Sequence, residues 1–531
     1  MVYMYKDNKI LDPVKSLNFS ADLVEVFGNI KLENGSTLKQ ALIIDGFSFW
    51  DVVSPELAHS HIPKILASNH PPGFFDIIKS YILSMDFIFR KINLTKNKTV
   101  IEPVLGEINV LCLGFVTQMY RDVINPIVTT LDKHENINTL ILSDKRWDKL
   151  ESAFSNRCSF QSIWSFWNED SHIKAAEIEI AICNVQKVTE DMNVFLDALP
   201  EDIKHLSGHF KILFRTLFNF YLPRIARQVV VARKVLNLYK PKITVSPDVS
   251  DSRARIYTIL ARQLGITSLD VQFGLAGKEA VEWRFLYADY VAAWGQLSKE
   301  AILNQGISPN RIIVTGSPRH DYQFAFSNQE MINQRRSLGV PDNAKLFVLA
   351  STYTLKTHNK YSDPEILKGM KNAVFDAFRD TPNAFLLVKP HPVENESENK
   401  ALIGHSQNIV QVSRDSDIRE LIKICDNFIS FGSTATIDAL IARKLTICPI
   451  FPGWVFSNFF KKSNSVIIPT SAAEMKAVVK DIVVGLGEKL SPNDDARKEF
   501  LKKHIFTLDG NSALRIEKVI LDIITQEKNF D

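Results

Sequence analysis

Short runs of β-branched and aliphatic residues alternate along this chain with helix-length stretches whose apolar positions recur every three or four residues. Ile108–Phe115 reads as a strand and Thr117–His134 as the helix after it. Lys242–Val245, a helix over Ser252–Leu264 and the strand Ile266–Val271 repeat the unit. Further strands are predicted at Ala41–Ile44 and near 64–68, 98–102 and 138–142, and a long helical insertion over about 170–240. The second half is more regular. Arg311–Thr315, Lys345–Ala350, Ala384–Val388, Ile409–Val412, Asn427–Ser430 and Leu445–Pro449 are expected to share one sheet, with helices near 363–379, 415–424, 434–443 and 472–486 between them. A final helix over Ser512–Gln526 can pack on either half. Alternation of this kind describes parallel sheets with covering helices. The prediction is an α/β protein of two Rossmann-like domains, residues 1–290 with the helical insertion and residues 291–531, facing a central cleft.

Composition changes this picture little. Of 531 residues, 45% are hydrophobic and 23% charged, which excludes a mostly disordered chain. The net charge of +3 gives no reason to expect nucleic acid as a partner. No apolar run reaches the length of a membrane-spanning helix, and Lys6, Asp7, Asn8 and Lys9 fall where a signal peptide would need an apolar core. The five scattered cysteines suggest neither a zinc site nor a disulfide framework, and Cys112, Cys183, Cys425 and Cys448 read as buried thiols. A cytoplasmic protein is expected.

Open α/β sheets bind ligands beyond the carboxyl ends of their strands, so polar residues there are the candidates for chemistry. Lys389-Pro390-His391-Pro392 ends one strand, and its prolines fix the direction of the His391 ring; the bland reading is a Pro-rich turn. Ser430-Phe431-Gly432-Ser433-Thr434 ends another and opens a helix whose free amides suit a phosphate; ordinary capping by Ser433 or Thr434 is the alternative. Arg319, in Gly316-Ser317-Pro318-Arg319-His320-Asp321, suits phosphate by its planar fork or forms a surface salt bridge. Asp248, Asp251 and Glu279 follow two neighbouring strands and are candidates for a general base, with Asp251 favoured as a helix cap. Asp45-Gly46 offers a further carboxylate or a plain β-turn.

Taken in order, Gln272-Phe273-Gly274, Gly316 to Asp321, Lys389 to Pro392 and Ser430 to Thr434 resemble the successive motifs of GT-B glycosyltransferases and their relatives. The groups most similar are the CDP-glycerol glycerophosphotransferases, the bacterial sialyltransferase-like and Kdo-transferase-like enzymes, and surface-polysaccharide transferases. The resemblance covers about residues 245–455. It implies that His391 contacts the donor phosphate, that Ser433 and Thr434 bind that phosphate at the helix start, that Lys389 and Gly432 belong to the same donor site, and that Arg319 lies near the interdomain hinge. It also implies a reaction without a metal or cofactor. In one respect the chain departs from the pattern: related phosphotransferases carry a histidine where Phe273 stands, and phenylalanine cannot accept a proton. Either the base is a carboxylate, with Asp248, Glu279 and Asp45 as candidates, or the chain uses another mechanism; Ile44 before Asp45 completes the sialyltransferase-like acidic motif only in part.

The resemblance implies transfer of a sugar from a nucleotide donor, CMP-linked (Kdo or nonulosonic acid) or UDP-linked, to a surface polysaccharide or lipid-linked glycan. A nucleotide-sugar 2-epimerase, a polyol-phosphate transferase and a non-catalytic scaffold are the competing readings. Between Ile203 and Pro247 lie nine lysines and arginines and no acidic residue, with Phe210, Leu213, Phe214, Leu217, Phe218, Phe220 and Tyr221 among them. Such a stretch either lies on an anionic membrane surface, as a peripheral protein on its inner face would, or forms a core helix with solvated arginines. Phe451, Trp454, Phe456, Phe459 and Phe460 beside Lys461 and Lys462 follow a strand end and either line the cleft, meet an acceptor lipid or form core.

Overall fold

The computed structural model describes residues 13–66, 107–144, 154–189, 193–274, 280–322, 328–353, 364–391, 394–454, 458–461, 463–490, 492 and 494–526. The chain divides into two compact units, one of residues 1–321 with 508–531 and one of residues 322–507.

The first unit is built on seven parallel strands: β1 (Val110–Leu113), β2 (Thr139–Ser143), β3 (Cys158–Ser162), β4 (Ile243–Ser246), β5 (Thr267–Val271), β6 (Tyr290–Ala293) and β7 (Ile312–Val314). Their order is β3-β2-β1-β4-β5-β6-β7. β1, β2 and β4 are buried at every position, as strands covered on both faces must be, which is why they carry only apolar residues and small hydroxyl ones. The strand order reverses at β1 and β4, the switch point of a doubly wound sheet.

Two expectations about the boundary are corrected. Ile312–Val314 does not join the second sheet: it pairs with β6, Val291 against Ile312 and Ala293 against Val314. The helix Gln296–Asn304 between them is a short crossover, and such a crossover returns the next strand to the neighbouring position in the same sheet. The last helix, Ser512–Gln526, also belongs to the first unit, where Ile516, Ile520 and Ile524 are buried with Val110, Ile127 and Val245. The first unit therefore ends at residue 321 and regains the chain at 508, in place of the expected break after 290.

The helical insertion is present. Its first long helix, Glu169–Val188, starts on a capping box of Asn168 and Ser171. Its last, Leu222–Tyr239, stops where Lys240 adopts a left-handed conformation (φ 43°) before Pro241. Phe210, Phe214, Phe218 and Val229 are fully buried, and Phe195 stacks on Phe214 at 3.7 Å. The apolar side of the basic stretch is thus core, so the membrane-surface reading of 203–247 loses the face it needs. Trp454 and Phe460 are core residues as well. Cys183 is exposed, contrary to expectation, because it stands outside the stripe of Ala175, Ile178 and Ile182 that its helix buries. Ile62–Leu66 is helical instead of a strand, since Leu57, Ala58, Ile62 and Ile65 recur at helical spacing. The strand expected near 98–102 lies outside the described residues.

The second unit has five parallel strands, β8 (Lys345–Ala350), β9 (Ala384–Lys389), β10 (Ile409–Gln411), β11 (Asn427–Ser430) and β12 (Leu445–Ile447), in the order β10-β9-β8-β11-β12. The order again reverses, here at β8 and β11. Both units thus have the Rossmann-like architecture expected from the sequence. Among the described residues no helix is long and apolar enough to cross a membrane.

Candidate functional site

In the second unit the register of the sheet decides where the motifs meet. Ala350, the last residue of β8, is level with Lys389 on one side and with Ser430 on the other. Strands lie about 4.8 Å apart, so the chain segments leaving β9, β8 and β11 rise side by side within roughly 10 Å. Lys389–His391, Ser351–Tyr353 and Ser430–Thr434 therefore share one edge of one sheet, at its switch point.

The His391 segment is held from below. Glu394 is buried, and one of its carboxylate oxygens accepts from Ser351 Oγ (2.8 Å), Asn399 Nδ2 (2.9 Å) and Lys371 Nζ. The other accepts from the His391 amide at 2.8 Å. One buried carboxylate thus fastens the segments after both β8 and β9. The His391 ring packs on Tyr353, centroids 4.7 Å apart. Burial, reinforced by the nearby Lys389 charge, pushes its pKa below the ordinary value, and the Glu394 charge opposes this in part. The imidazole is therefore neutral near pH 7. Lys389 Nζ donates to the Pro390 carbonyl at 2.9 Å. Sequence reasoning missed Glu394, whose one signal is an acid three residues beyond a histidine at a strand end.

The Ser430–Thr434 turn is shaped by Gly432, whose φ of +92° favours glycine. Its amide donates to Ser430 Oγ (3.2 Å), and Ser430 Oγ also lies 2.5 Å from Thr436 Oγ1. Neither Ser433 nor Thr434 caps the helix Ala435–Ile441 through its side chain. Ser433 Oγ is buried without a hydrogen-bond partner among the described residues. A buried hydroxyl is normally satisfied, so this one is open to a ligand.

The remaining candidates lie in the first unit. Arg319 does not form a surface salt bridge: it is 4% exposed and pairs with the fully buried Asp122 at 2.7 Å. Its neighbours in the motif are equally committed. Gly316 has φ +81°, and a Cβ there would stand 2.6 Å from Ser512 Oγ. His320 is buried against Trp294, and Asp321 accepts from the amides of Ser512 (2.9 Å) and Ala513 (2.7 Å). Gly316 and Asp321 thus seat the start of the final helix, while Arg319 and His320 are committed to Asp122 and Trp294. Asp45 occupies the turn of a two-residue hairpin with φ +51°, its side chain paired with Arg233, as the plain β-turn reading anticipates. Asp251 caps the helix Ser252–Gln263 by accepting from the Arg253 amide at 2.9 Å. Glu279 lies outside the described residues. Asp248 and the capping Asp251 both line a cavity, of about 420 Å3, at the carboxyl end of β4. Burial raises the Asp248 pKa, with the Asp251 charge adding to the effect. Phe273 packs against the sheet core.

Residues 259–443 match the family of CDP-glycerol:poly(glycerophosphate) glycerophosphotransferases. That stretch contains all four motifs on which the sequence resemblance rests, from Gln272-Phe273-Gly274 through Ser430 to Thr434, and the resemblance to this transferase family stands. It covers less than half of the chain. No curated protein sequence matches. Among solved structures the chain is similar to S. aureus MnaA with UDP, at 12% identity over 79% of this chain and 98% of that one (TM-score 0.49). It is similar to UDP-GlcNAc 2-epimerase from Neisseria meningitidis bound to UDP-GlcNAc, at 12% identity over 78% and 100% (TM-score 0.49). The wall teichoic acid polymerase TagF is 13% identical over 86% and 100% (TM-score 0.47).

Proposed function

We propose that this protein is a transferase that takes a nucleotide-activated donor and passes its glycosyl or polyol-phosphate group to a hydroxyl of a cell-surface polymer. The observation that carries the reading is the register of the second sheet, which aligns Lys389, Ala350 and Ser430 and so gathers His391 and Ser433–Thr434 on one edge. The family match over residues 259–443 supports a donor of the CDP-glycerol kind, beside the CMP- and UDP-linked sugars expected from the sequence.

In this reading the donor phosphates lie along that edge. The neutral His391 ring donates one hydrogen bond to a phosphate oxygen, and the unpartnered Ser433 hydroxyl donates another. The backbone at Gly432 approaches closely because no side chain intervenes. Charge grows on the nucleotide phosphate as its bond to the transferred group breaks, and donors already in position stabilise that charge without reorganising.

A thermal-shift screen against CMP, CDP, UDP and GDP, with their glycerol and sugar esters, identifies the donor, since a ligand at a hundredfold excess over its Kd adds about 2.7 kcal/mol to stability. His391→Ala is then expected to lose about 10²–10³ in turnover with that donor. A folded variant with the wild-type rate rejects the reading. Conversion of the donor without any acceptor would reassign the protein as an epimerase.

A further inference from the structure

The cavity beside Asp248 contains a histidine that the motif resemblance does not assign. Two wide π-helical turns, Leu57–His61 and Leu217–Tyr221, line it from separate helical segments. Such turns are rare and recur at functional sites, because the extra residue turns side chains away from the regular helical path. The cavity also sits at the carboxyl end of β4, on the switch point of the first sheet.

His59, on the first of these turns, is half-buried, and its Nδ1 lies 2.7 Å from the Pro55 carbonyl. A carbonyl only accepts, so Nδ1 carries the proton. In the neutral ring Nε2 is then the basic atom, and among the described residues it has no hydrogen-bond or ion-pair partner. His61 is differently placed: its Nε2 faces Glu56 at 3.4 Å, and its ring packs edge-on against Tyr221 at 5.3 Å. Asp248 Oδ1 accepts from both the amide and the hydroxyl of Ser250 at 2.8 Å, while Oδ2 has no partner among the described residues. His59 and Asp248 line the same cavity, and a charge on His59 opposes in part the rise that burial imposes on the Asp248 pKa.

Resting on the transferase reading above, we propose that this cavity binds the hydroxyl-bearing acceptor, a sugar or polyol, and that His59 is its catalytic base. Nε2 takes the hydroxyl proton as the acceptor oxygen bonds to the electrophilic carbon or phosphorus of the nucleotide-activated donor. The electron pair of the broken bond leaves on the nucleotide phosphate. Asp248 holds the imidazolium that results. The assignment accounts for Phe273: a base supplied from the Leu57–His61 turn makes a histidine there unnecessary.

His59→Asn is the discriminating variant, because the asparagine amide can keep the bond to the Pro55 carbonyl while removing the basic atom. With CDP-glycerol and a glycerophosphate oligomer, or the donor and acceptor pair that the nucleotide screen selects, kcat is expected to fall about 10²-fold or more with the donor Kd unchanged. A kcat within threefold of wild type overturns the proposal. A second measurement does not depend on turnover. In the wild-type chain, carbethoxylation of His59, followed by mass spectrometry, is expected to slow at least threefold in saturating glycerol 3-phosphate or N-acetylglucosamine. An unaltered rate with both probes overturns the cavity as the acceptor site, even if His59→Asn fails to fold. A wild-type chain that transfers nothing but shows this protection overturns the transferase reading and leaves the cavity's ligand class supported.

Discussion

Arg319 Nη1 meets Asp122 Oδ2 at 2.7 Å with both side chains buried, although 197 positions separate them. Asp122 also accepts from Arg121 Nε at 2.9 Å. An arginine that a motif resemblance marks as phosphate-binding is thus part of the skeleton of the first unit. Removing one member of a buried pair leaves the other charge without compensation, at a cost of about 3–5 kcal/mol. Asp122→Asn and Arg319→Met are each expected to destabilise the chain on that scale in urea titration. The double variant should be less destabilised than the two single effects added together. Additivity of the two effects would show that the pair does not act as a unit.

His320 gives the protein an acid-sensitive point. Its ring nitrogens are buried without hydrogen-bond partners among the described residues. Burial, and then the neighbouring Arg319 charge, lower its pKa to about 3, against an ordinary 6.5. The folded state therefore holds this ring neutral, while the unfolded chain protonates it below about 6.5. Its contribution to stability is complete above pH 6.5 and is lost progressively as the pH falls toward 3. His320→Phe keeps an aromatic ring against Trp294 and has nothing to protonate. Urea midpoints measured from pH 7 to pH 4 should fall less steeply for this variant than for wild type, and at pH 7 it should be at least as stable. Identical slopes would assign the acid sensitivity to other groups.

Ser433→Ala separates a ligand group from a structural one. The hydroxyl has no partner among the described residues, so its removal should leave stability within about 0.5 kcal/mol or raise it slightly. Donor binding should weaken by roughly tenfold, the loss of one hydrogen bond to a charged phosphate. Calorimetry of the nucleotide donor, beside a melting curve of the free protein, reads both. A melting temperature that falls while binding is unaltered would make Ser433 an ordinary fold residue.

The strands of the second sheet and most of the first were legible in the sequence because a parallel strand covered on both faces must be a short apolar run; Cys158–Ser162, half-exposed at the sheet edge, and Tyr290–Ala293 were not. The helix that follows each strand returns the chain in one direction, so loops far apart in sequence emerge on a common edge. His391 and Ser433 could be placed together on that ground alone. Asp251 as a helix cap and Asp45 in its turn were also readable, since capping and turn chemistry act within three or four residues.

Tertiary structure decided what depends on partners distant in the chain. Nothing near Arg319 announces Asp122, and nothing near Ser512 announces that Asp321 holds its helix in the first unit. Glu394 reads as one more surface acid until Lys371, Asn399 and Ser351 surround it. His59 lies in an apolar helical stretch, with only the His59-Ser60-His61 pairing as a signal, and becomes chemically distinct beside a cavity that also admits Asp248 from 189 positions away. The sequence by itself determined the elements and the direction in which they run, because those follow from local sterics and hydrophobic period. Which charges are buried and which polar atoms remain open was decided only by packing, because desolvation depends on everything that surrounds a group.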